Sequence, residues 1–166
     1  MTKLAVIAHN MRSTHNVGSL LRTADGLGVD LVCLSGYTAY PAKDNDERLP
    51  HLAKKLDAQI HKTALGAEHT VKWRHDDTLE QAIKNLKEDG YTIIALEQNE
   101  KSILLSDYAK RPDRIALLLG SERDGLSKEE LDYTDQIIEI PMKGAKESLN
   151  VVQAAAICLY TLSNLP

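Results

Sequence analysis

The chain predicts an α/β fold, a mainly parallel sheet with helices packed on both faces. Short apolar runs alternate with amphipathic segments along its length, the pattern of repeated strand–helix units. Two of those runs, Tyr91 to Leu96 and Arg114 to Leu119, are almost continuously apolar, as strands buried on both faces require. No internal repeat or low-complexity tract interrupts the alternation. At 166 residues the chain suits a single domain, 1–166, with a full core.

Lys3 to Ala8 reads as the first strand. Val17 to Leu27 reads as a helix, with Leu20, Leu21, Ala24 and Leu27 at helical spacing and Gly28 as the terminating glycine. Leu31 to Ser35 is a second strand, and Tyr37 to Pro50, rich in Pro, Asp and Asn, is the one long loop. A helix is expected from His51 to about Leu56 and a short strand from His69 to Trp73. Thr78 to Glu88 is a helix stopped by Asp89-Gly90, and it leads into the strands at Tyr91 to Leu96 and Arg114 to Leu119. Ser127 caps a short helix to Tyr133, and Gln136 to Ile140 is the last strand. A Pro/Gly loop then reaches Ser148, whose hydroxyl suits an N-cap. Asn150 falls in the first turn of the final helix, and Val151, Val152, Ala155, Leu159 and Leu162 continue along it.

Hydrophobic residues make up 43% of the chain and Phe is absent, so the core must rest on Leu, Ile, Val and Ala. The N-terminal apolar run is too short for a signal peptide, and no run approaches the ~20 residues of a membrane span. Cys33 and Cys158 stand alone in apolar surroundings and read as reduced core residues. A soluble, cytoplasmic protein is expected. His9, His15, His51, His61, His69 and His75 show no zinc-ligand spacing with cysteine, so no metal is expected. The net charge of −4 weighs against a nucleic-acid partner. Basic residues nevertheless gather in the first half (Arg12, Arg22, Lys43, Arg48, Lys54, Lys55), while acidic residues crowd the second. Both a basic face on an acidic body and a mixed solvated surface are compatible with that distribution.

The carboxyl ends of the strands are where open α/β sheets bind ligands. Gly120 falls directly after one strand, Leu96 ends another, and Ile140 and Met142 straddle Pro141 after a third. No G-x-G-x-x-G follows the first strand, so a dinucleotide site is not supported. A glycine at 120 lets a ring or ribose approach the backbone. Ile140 and Met142 either cover a flat ring or simply pack in the core. The free N–H groups where the last helix begins favour an electron-rich ligand.

Three segments carry a more specific signal. They are His15-Asn16-Val17-Gly18-Ser19-Leu20-Leu21-Arg22-Thr23-Ala24-Asp25, Leu117-Leu118-Leu119-Gly120-Ser121-Glu122-Arg123-Asp124-Gly125-Leu126-Ser127, and Ile140-Pro141-Met142 through Ser148-Leu149-Asn150 to Ala155. In this order they resemble the three motifs of the SpoU/TrmH family of RNA ribose methyltransferases, within the SPOUT superfamily, and the resemblance spans Leu4 to Leu162. It implies a SPOUT-type fold whose C-terminal part threads a loop as a trefoil knot, which is exceptional among folds. It also implies a homodimer in which motifs of two subunits meet. S-adenosyl-L-methionine would contact Leu96, Gly120, Ile140, Met142 and Leu149, chiefly through backbone groups. The substrate would be tRNA or rRNA, and the chain looks like the catalytic core without an added RNA-binding domain.

The resemblance assigns catalytic positions to Asn16, Arg22, Glu122, Ser148 and Asn150. A ribose 2′-hydroxyl is a poor nucleophile, so it must be aligned and must lose its proton. Arg22 matches the family's catalytic arginine. A guanidinium ordinarily keeps its proton, so two roles stand open: proton acceptor in an unusual setting, or cation stabilising the alkoxide. Asn16 either holds substrate or caps its helix. Glu122 either pairs with Arg22 or accepts a hydrogen bond from Asn16. Ser148 and Asn150 either orient the hydroxyl or the cofactor's carboxylate, or cap the last helix. Two other functions compete: an RNA-binding module that keeps the fold without the chemistry, and a methyltransferase acting on a base nitrogen.

Overall fold

The structure, a computed structural model, describes residues 2–109 and 112–164. Seven strands form one sheet: β1 (Lys3–His9), β2 (Leu31–Ser35), β3 (Trp73–Asp76), β4 (Thr92–Leu96), β5 (Ile103–Leu104), β6 (Arg114–Leu119) and β7 (Gln136–Glu139). Their order is β3-β2-β1-β6-β4-β7-β5, and each pairing is parallel. The helices are α1 (Thr14–Gly26), α2 (Pro50–Ala64), α3 (Ala67–Thr70), α4 (Leu79–Glu88), α5 (Lys128–Leu131) and α6 (Val151–Ser163). This is the expected α/β architecture.

Alternation along β1 shows how both faces are used. Leu4, Val6 and Ala8 join the core beneath α1, α2, α3 and α6, whereas Ala5 and Ile7 join the core beneath α4 and α5. Leu20 and Leu21 of α1 are fully buried, each contributing about 1.5–3 kcal/mol relative to exposure. α1 crosses α2 closely at Gly18, where an added methyl would lie 2.2 Å from the Ile60 carbonyl oxygen and from Thr63 Oγ1.

Several boundaries differ from expectation. α1 starts at Thr14 rather than Val17, because Ser13 caps it by accepting from the N–H of Asn16. Asn16 therefore sits in the first turn. α2 extends to Ala64, well beyond Leu56: Pro50 opens it, but only Ala53, Ile60 and Ala64 are buried, so its apolar stripe is thin. The expected strand at His69–Trp73 begins at Trp73 instead, since residues 67–70 are helical and the Val71 N–H bonds the Ala67 carbonyl. β5 has two residues on the sheet edge and no alternation to announce it. Ser127 does cap α5, in a capping box with Glu130.

The last helix is corrected most usefully. Its N-cap is Asn150, whose Oδ1 accepts from the N–H of Val152 at 2.9 Å. Ser148 stands two residues outside the helix, exposed. α6 packs against α1, β6 and β4, which brings its N-terminus to the carboxyl ends of the central strands.

Candidate active site

β6 lies between β1 and β4, where the sheet changes direction of growth, and β4, β6 and β7 end side by side. Such switch points leave a crevice beyond the strand ends. Here it is a cavity of about 250 Å³. Leu96, Gly120, Ile140, Met142 and Leu149 all line it, with Glu122 and Ser148 on its wall. Five positions expected to contact a cofactor, drawn from three strand ends and the helix junction, thus surround one space.

The glycine at 120 serves a second purpose, in the fold of its own loop. A Cβ there would lie 2.5 Å from both the carbonyl carbon and oxygen of Gly125. The missing side chain lets the 120–125 turn fold back on itself, closed by a bridge between Ser121 and Gly125. The residue is needed for loop closure, and it also lines the cavity.

Glu122 is the hub that ties the three segments together. Its carboxylate accepts from the N–H groups of Arg12 and Ser13 and from Asn16 Nδ2, each at 2.9 Å. Asn16 Oδ1 in turn accepts from Asn150 Nδ2 at 3.2 Å. Partial burial opposes ionisation of Glu122, but the Arg12 N–H, the Asn16 amide and the Ser13 N–H outweigh it and hold its pKa below the usual value. Of the two partners open to Glu122, the structure selects Asn16. Arg22 lies on an exposed face of α1, away from the cavity lining, and among the described residues it makes no hydrogen bond or ion pair.

Glu97 was not anticipated. It follows β4 directly, and its Oε2 accepts from the N–H of Leu126 at 2.9 Å, fastening the far end of the 120–126 loop. An acidic residue directly after a buried strand is the signal that marked it. Gln98 beside it donates from Nε2 to the Glu147 carbonyl at 2.9 Å. Among the described residues, no cluster of His, Cys, Asp and Glu is arranged to hold a metal ion, and no helix is long and apolar enough to cross a membrane.

The model of the SpoU rRNA Methylase family matches residues 3–160. The chain belongs to the SpoU rRNA methylase family. Among curated SpoU-type relatives, it is 33% identical over 157 residues to the 23S rRNA (guanosine-2'-O-)-methyltransferase RlmB of Nitrosomonas europaea, covering 95% of this chain and 54% of that protein. It is also 33% identical over 159 residues to the tRNA (guanosine(18)-2'-O)-methyltransferase of Thermus thermophilus, covering 95% of this chain and 72% of that protein. The chain spans about half the length of the RlmB relatives it matches. Solved SpoU-family structures share the fold. The TrmH/SpoU tRNA modifying enzyme of A. aeolicus superposes with a TM-score of 0.78 at 26% identity, covering 99% of this chain and 76% of that one. An AdoMet-bound rRNA methyltransferase from Sinorhizobium meliloti gives 0.81 at 22% identity, covering 96% and 55%.

Proposed function

We propose that the chain, as a single SPOUT methyltransferase domain, transfers a methyl group from S-adenosyl-L-methionine to a ribose 2′-hydroxyl of tRNA or rRNA. The observation that carries this reading is the cavity itself. It gathers all five candidate cofactor positions, and its wall includes Glu122, the residue that joins Asn16 and Asn150.

The residues fit the cofactor. Leu96, Ile140, Met142 and Leu149 offer apolar walls to a flat purine, and strand-end backbone offers donors and acceptors for its polar edges. At about 250 Å³ the space lies near the lower end of small-molecule sites, roughly 300–1,000 Å³. When bound, the cofactor supplies a methyl group already activated on a sulfonium. The chain's own task is to present the hydroxyl. Asn16, held by Glu122 and Asn150, orients it, and Ser148 faces the same space. Arg22 supplies a cation to steady the developing alkoxide, the role that suits a group which keeps its proton.

A second copy of the chain completes the site in this reading. Thr23, Gly26 and Leu27 of the α1 end and Ala156, Ile157 and Tyr160 of α6 line an apolar groove. Ile157 and Tyr160 remain 45% and 62% exposed. Arg22 is the neighbour of Thr23 on α1, and the proposed dimer through this groove would place it near the subunit boundary. The knotted passage is supported by backbone order: β7 lies between β4 and β5, and the 97–102 connection that joins those two strands meets the segment leaving β7 through the Gln98–Glu147 bond. We take the location to be cytoplasmic, where tRNA and rRNA substrates are met.

Transfer of label from S-adenosyl-L-methionine into unmodified tRNA and rRNA, followed by digestion to nucleosides, tests the proposal. Label in a 2′-O-methyl nucleoside is expected. Label in a methylated base would favour the base-nitrogen enzyme, and no cofactor binding would favour the inert module. Arg22→Ala is expected to lower turnover at least 100-fold, and full turnover in that variant would remove its role.

A further inference from the structure

Beside the active site, at the carboxyl ends of β1 and β2, His9, Ser35 and Thr38 are buried polar residues that take no part in the cavity. His9 Nδ1 lies 2.9 Å from Ser35 Oγ. Thr38 Oγ1 accepts from the Met11 N–H at 2.9 Å and lies within donating distance of the carbonyls of Ala8 and Ser35. Asn10 adopts φ 53 and Gly36 φ 65, and the two pack so closely that a Cβ on Gly36 would lie 2.1 Å from Asn10 Oδ1. Asn10 Oδ1 also accepts from the N–H of Tyr37 at 3.1 Å. Buried polar groups and a left-handed non-glycine residue persist only where surrounding structure over-determines them.

This network fixes the backbone of Tyr37, whose side chain stands at the surface with the residue 58% exposed. It also fixes the start of the next segment. The N–H of Met11 is bound by Thr38 and that of Arg12 by Glu122. Asn10, which grips Tyr37, is two residues from Arg12, a span of at most about 7 to 8 Å between their Cα atoms. The Arg12 side chain is exposed, and among the described residues it has no hydrogen-bond or ion-pair partner. An exposed aromatic ring on a fixed backbone and an unpaired cation therefore stand on the Glu122 side of the cavity.

The geometry points to Tyr37 and Arg12 as a docking site for an unpaired nucleotide of the substrate RNA, adjoining the one whose ribose is modified. The ring stacks on the base and the guanidinium meets a phosphate, which is how proteins capture splayed-out bases. The inference rests on the RNA reading above, and Tyr37 is a positioning residue in it.

The test uses the full chain with the RNA that accepts label or, if none does, with pooled unmodified tRNA. Filter binding, turnover and S-adenosylhomocysteine affinity are measured for Tyr37→Ala, Tyr37→Phe and Arg12→Ala. Tyr37→Ala is expected to raise the RNA Kd and KM roughly five- to 100-fold, leaving kcat within about twofold and S-adenosylhomocysteine affinity unchanged. Tyr37→Phe keeps the ring and should bind like the unmodified chain. Arg12→Ala should lower the salt dependence of binding by about one phosphate contact. Equal RNA binding by Tyr37→Ala overturns the docking site alone. A parallel fall in S-adenosylhomocysteine affinity overturns it too, by showing a structural role. A parent chain that binds no RNA overturns the RNA reading, and the docking site with it.

Discussion

The two loops that wall the cavity are built in opposite ways. The 120–126 loop is fastened from three directions: Glu97 bonds the Leu126 N–H, Glu122 reaches Arg12, Ser13 and Asn16, and Ser121 Oγ accepts from the Asp124 N–H at 3.1 Å. The 140–149 loop exposes Pro141 and every residue from Lys143 to Ser148, and among the described residues its one hydrogen bond to the rest of the fold is from Gln98 to the Glu147 carbonyl. Segments with few buried contacts open at low free-energy cost. The difference teaches that the cavity has one wall pinned by hydrogen bonds and one that yields; we propose that ligand enters through the second.

Breaking the fixed wall should have the largest effect. Gly120→Ala drives a methyl into the Gly125 carbonyl at 2.5 Å and is expected to cost about 1–3 kcal/mol or more, read by urea unfolding, with loss of S-adenosylhomocysteine binding. Asn150→Ala removes the α6 cap and the link to Asn16, and should cost about 1 kcal/mol by the same measurement. Glu122→Gln leaves at least one backbone N–H without its charged acceptor, for a loss of about 1 kcal/mol near neutral pH given its exposed position. The pH dependence sharpens this result. The folded-state pKa of Glu122 is depressed, so its stabilisation is fully present above the ordinary glutamate value and is lost as pH falls through the lower folded value. The gap between Glu122→Gln and the parent chain should therefore close on acidification below that value. Gln98→Ala, on the yielding wall, should change stability by less than about 0.5 kcal/mol, while hydrogen exchange speeds up in 143–148.

The same contrast explains what could be read from sequence. β1, β2, β4 and β6 are legible because a strand buried on both faces is a run of apolar residues, and Gly28 and Asp89-Gly90 end their helices as expected. α2 was seen short because its buried stripe is three residues wide in fifteen. β3 was displaced because a single helical turn, closed by local hydrogen bonds, leaves no periodicity. At the site, sequence found the residues but not their wiring. Glu122 had two possible partners, and only three-dimensional proximity selects Asn16 over Arg22. Ser148 and Asn150 both suit a cap, and two residues of register decide between them. The second role of Gly120 is not legible, because its neighbour Gly125 reaches it only through the fold of the loop.

Amide hydrogen exchange with and without S-adenosylhomocysteine tests the central claim most directly. The account predicts that ligand slows exchange strongly across 140–149, while 121–126, already pinned, changes little. Equal protection of both loops, or bound ligand with no protection at 140–149, would contradict it.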